Sequence, residues 1–62
     1  MSAGNMLAVI RKNKDRYPHI ANVAERVVGM AEKHKDSKYI FLDDNITTAL
    51  ELGYDFIVRS ND

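Results

Sequence analysis

Asp43 and Asp44 stand side by side after the apolar run Tyr39-Ile-Phe-Leu42, and are the residues of this chain best placed for chemistry. Paired carboxylates at the end of a strand can hold Mg²⁺ opposite a phosphate, because a hard cation takes one or two carboxylates and keeps several of its waters. The competing reading is structural. A carboxylate just before a helix accepts hydrogen bonds from the first N–H groups and faces the positive end of the helix dipole. No nucleophile and base accompany the pair: His19 and His34 fall at opposite ends of one expected helix, His34 between Lys33 and Lys35. With no cysteine and two histidines fifteen positions apart, the chain offers neither a disulfide nor a metal-ligand pattern. The expectation is a protein without catalytic residues, metal or cofactor, with an Mg²⁺-dependent enzyme fragment using Asp43 and Asp44 as an alternative.

A second group with chemical potential is basic. Arg11, Lys12, Lys14 and Arg16 cluster beside Tyr17 and His19, and such a cluster could neutralise phosphates with salt-sensitive affinity or meet an acidic protein partner. It also suits the C-terminal end of a helix, where cations are favoured by about 0.3 to 1 kcal/mol. Three observations weigh against direct nucleic-acid binding: the pI is near 6.7, no glycine turn of the helix-turn-helix type joins the first two helices, and the C-terminal part is acidic. Residues 1–38 hold eight Lys or Arg against four Asp or Glu, while residues 39–62 hold one against five. Net charge is therefore zero, yet the two parts carry +4 and −4.

These residues must be positioned by a small scaffold. A chain of 62 residues makes one domain, which buries only about 60% of the surface its unfolded form exposes. A core of that size rarely supplies more than about 3 to 5 kcal/mol, so dimerisation, a host partner or good packing must compensate for the missing disulfides and metal. Hydrophobic content of 45% with 29% charged residues places the chain among globular rather than disordered sequences. No run is long enough to span a bilayer and the N-terminus lacks the features of a secretory signal, so the expectation is a cytoplasmic protein without a membrane partner. Asn45-Ile46-Thr47 then matches a glycosylation acceptor by chance.

Asn5 can cap a first helix carrying Met6, Leu7, Val9 and Ile10, which must stop before Pro18. Pro18 suits the first position of a second helix running to about Lys35. Its polar stripe of Asn22, Glu25, Arg26, Gly29, Glu32 and Lys33 leaves an apolar circumference wider than one neighbour can cover. Asp36-Ser37 ends the helical period. Lys38–Leu42 and Tyr54–Val58 then read as short strands, with a helix over Asn45–Leu52 between them, capped by Asn45 or Asp44 and closed by Gly53 in the left-handed conformation. The predicted fold class is α+β: two N-terminal helices packed on a small two-stranded β-α-β unit, parallel favoured and antiparallel possible, as a single domain over residues 1–62 with 1–4 and 60–62 frayed.

Phe41-Leu-Asp-Asp-Asn45 resembles the acidic turn after the first strand of response-regulator receiver domains. The resemblance covers those five residues, and the chain has no room for the receiver's other strands with their aspartate and lysine. Ala49-Leu-Glu-Leu-Gly-Tyr-Asp-Phe-Ile-Val58 is similar to a helix-to-strand step of phosphate-binding α/β barrels, but Arg59-Ser-Asn-Asp62 stands where their glycine-rich loop would follow. What carries over is the helix-then-strand assignment, without the activity.

The functional expectation is a small non-enzymatic interaction or regulatory protein, of an inhibitor or adaptor kind, acting as a homodimer or in complex with a larger partner. Short, cysteine-free, charge-balanced chains of this sort include many bacterial and viral accessory factors. A two-stranded sheet exposes both edges and invites strand addition, and Tyr39, Phe41, Tyr54 and Phe56 would anchor the contact because aromatics dominate interface hot spots. The alternative is a nucleic-acid-binding accessory protein using Arg11, Lys12, Lys14 and Arg16.

Overall fold

Ser2 starts the first helix, its Oγ accepting from the backbone N–H of Asn5 at 3.2 Å. The cap expected at Asn5 thus belongs three residues earlier, and Ala3 is already part of the buried core. The computed structural model describes residues 1–34 and 37–60, with the backbone alone at 37–39. Helix α1 spans Ala3–Lys12, α2 spans Pro18–His34 and α3 spans Asp44–Ser60, with a 3₁₀ helix over Ser37–Leu42 leading into α3. Among these residues no helix is long and apolar enough to cross a membrane.

Asn13 ends α1 by folding back on it. Its side-chain Nδ2 donates to the carbonyl of Val9 at 2.8 Å, a second bond to an acceptor that also takes the Asn13 backbone N–H at 3.2 Å. The Asn13 carbonyl then accepts from the N–H groups of Arg16 and Tyr17 at 3.1 and 2.9 Å, closing a tight turn into Pro18. Proline has no N–H to lose at that position, and the first helical bond of α2 runs from Ala21 N–H to Tyr17 carbonyl at 3.1 Å.

The α+β expectation is overturned: no strand occurs among the described residues, so there is neither a parallel nor an antiparallel pair. Lys38–Leu42 lies in the 3₁₀ helix, and Tyr54–Val58 forms part of the second half of α3. The reason is packing. Ile46, Leu50 and Ile57 fall on one helical stripe and are all buried, whereas a strand from Tyr54 would have turned Phe56 and Val58 inward together. Those two are exposed instead. Gly53 does not close a helix, since no glycine has positive φ; it sits mid-helix where α3 approaches α2 closely. Asp36, where the helical period was expected to break, lies outside the described residues, as does Lys35.

The core joins all four elements. Its largest fully buried side chains are Ile10 from α1, Ile40 from the 3₁₀ helix, and Leu50 and Ile57 from α3. Helix α2 contributes smaller ones, Ala21, Ala24 and Val28, so larger side chains of its neighbours can pack close against its backbone. Helix α3 touches α1, α2 and the 3₁₀ helix, within an envelope of 36 × 20 × 15 Å.

Candidate partner-binding groove

The apolar circumference of α2 is wider than its neighbours cover. Ala21, Ala24 and Val28 are buried, and Ile20 and Val27 are partly so, but Val23 is 58% and Met30 59% exposed. Helix α3 shows the same excess: Leu52 is 68% and Phe56 56% exposed beside the buried Leu50 and Ile57. Val23 and Val27 on one side and Leu52 and Phe56 on the other line an open groove of about 610 Å³, with the buried Ile10 and Ala24 beneath. Spacings of four residues, 23 to 27 and 52 to 56, put each pair on one flank of its helix.

One end of the groove is closed by aromatics. Tyr17 and Phe56 meet edge to face, centroids 6.1 Å apart and planes at 87°, the geometry that the ring quadrupole favours. The guanidinium of Arg16 lies 5.6 Å from the centroid of Tyr17, within cation–π range. His19 and Pro18 also line this end. The groove is thus a hydrophobic trough with Arg16 and His19 beside its aromatic end.

No protein-family model, curated protein or solved structure matches this chain.

The four aromatics expected to form one patch are not brought together. Phe56 lines the groove, while Tyr54, two residues away and therefore on another side of α3, packs partly buried against the core. Phe41 is 39% exposed on the 3₁₀ helix, and its carbonyl accepts from the Thr47 hydroxyl at 3.4 Å. The side chain of Tyr39 lies outside the described residues. The strand edge that was to unite them is absent among the described residues. Sequence reasoning missed Val23, Leu52 and Tyr17; the signal for Val23 was the over-wide apolar face of α2, and for Leu52 its i, i+4 relation to Phe56.

The basic cluster is divided between two surfaces. Arg11 forms a two-pronged ion pair with Glu25, Nε to Oε1 at 2.7 Å and Nη2 to Oε2 at 3.3 Å. The bond holds the Glu25 carboxyl below the usual carboxylate range and raises Arg11, burial opposing both shifts. Lys14 shares a shallow polar depression with Arg11, Asp15 and Glu25, Lys12 is exposed on the last turn of α1, and Arg16 belongs to the groove. A phosphate-binding surface would need all four on one face.

Asp43 caps α3. Its Oδ1 accepts from the N–H of Asn45 at 2.9 Å and of Ile46 at 3.3 Å, and its carbonyl accepts from Thr47 N–H at 3.0 Å. The cap expected at Asn45 or Asp44 therefore falls one residue before Asp44, which occupies the first turn. Among the described residues, no group of three or more His, Asp or Glu side chains gathers where a metal ion could be held.

Proposed function

We propose that this chain is a small non-enzymatic interaction protein that engages a larger protein through the groove between α2 and α3. The observation carrying this reading is the uncovered apolar stripe of Val23, Leu52 and Phe56 above buried Ile10. A scaffold with so little interior gains by burying its few large side chains, and leaving three apolar flanks in water forgoes roughly 25 cal/mol per Å² of contact. Contiguous exposed apolar surface around a concavity is a mark of association sites. Aromatic Phe56, held edge-on by Tyr17, is the type of rigid anchor that dominates such contacts. The division of the basic cluster and the engagement of Asp43 as a helix cap favour this reading over phosphate binding or Mg²⁺ chemistry.

Placing a photoreactive phenylalanine analogue at position 52, and in a second variant at position 51 on the far flank of α3, tests the proposal. In cells that express the protein, a discrete adduct of defined mass is expected from 52 and none from 51. Equal labelling at the two positions would remove the groove from consideration.

A further inference from the structure

We draw no further inference here: the strongest candidate, the apolar groove between α2 and α3 lined by Val23, Val27, Leu52 and Phe56, belongs to the site already described, and nothing in the structure shows what covers it.

Discussion

Gly53 of α3 faces Ile20 of α2 at a separation that leaves no room for a side chain: a β-carbon at position 53 would lie 2.9 Å from Ile20 Cγ2. Ile10 Cδ1 would be 3.4 Å away. Glycine inside a helix costs about 1 kcal/mol relative to alanine, and here the close approach of the two helices offsets it. Ile20 Cγ2 branches directly from Cβ, so it moves only by a change of rotamer or backbone.

The same substitution at two glycines is therefore expected to act with opposite sign. Gly53→Ala should lower stability by about 1 kcal/mol or more, since overpacking of about 1 to 3 kcal/mol outweighs the gain in helix propensity. Gly29→Ala meets nothing within 4 Å and should raise stability by about 0.5 to 1 kcal/mol. Urea unfolding of both variants measures this, and adding Ile20→Ala should recover part of the loss at 53. Equal changes at the two sites would refute the close approach.

The register of α3 predicts a contrast among three neighbours. Ile57→Ala should cost about 2 to 4 kcal/mol, because the side chain is fully buried. Phe56→Ala and Val58→Ala should each cost about 1 kcal/mol or less, both being exposed. A strand over Tyr54–Val58 would reverse the order, so thermal or urea denaturation of the three variants separates helix from strand.

Asp43→Ala removes the acceptor of two α3 N–H groups and should destabilise by about 0.5 to 2 kcal/mol. Asp44→Ala, in the first turn, should cost less, through the helix dipole alone. The melting temperature of the parent chain should be indifferent to millimolar Mg²⁺; a rise that Asp43→Asn abolishes would restore the catalytic reading.

Glu25 is more acidic folded than unfolded because Arg11 bonds its carboxylate. The folded state then binds the Glu25 proton less readily, so this contribution is complete above the ordinary carboxylate pKa of about 4.3 and fades as pH falls through the depressed folded value. Both side chains are about half exposed, which limits the pair to about 1 kcal/mol at low salt and less at high salt. Glu25→Gln should flatten the acid limb of stability against pH slightly, measured by urea titration at pH 3 and pH 7.

The helical first half was legible because its signals act locally. Pro18 fixes where α2 begins, and the stripe of Ala21, Ala24 and Val28 repeats at helical spacing over several turns. An acidic start to the third helix was legible for the same reason, although the cap is Asp43 and Asp44 stands in the first turn. The second half misled because Tyr54-Asp-Phe-Ile-Val58 is too short to distinguish a period of two from one of 3.6, and its β-branched and aromatic residues favour strands locally. Packing decided otherwise: only a continuous helix from Ile46 buries Leu50 and Ile57 together. Gly53 looked like a terminator because glycine usually ends helices, and its contact with Ile20 is invisible before the helices are docked. The groove was half legible, since the surplus apolar face of α2 showed in the sequence while its counterpart on α3 was hidden by the strand assignment.

Two of the four largest fully buried side chains, Leu50 and Ile57, belong to the last of the three helices. During synthesis Ile10, Ala24 and Val28 therefore cannot be fully covered until α3 has been made, which takes about 1 to 3 seconds for its 17 residues at about 5 to 20 per second. During that interval the nascent chain offers chaperones a far larger greasy surface than the finished protein does.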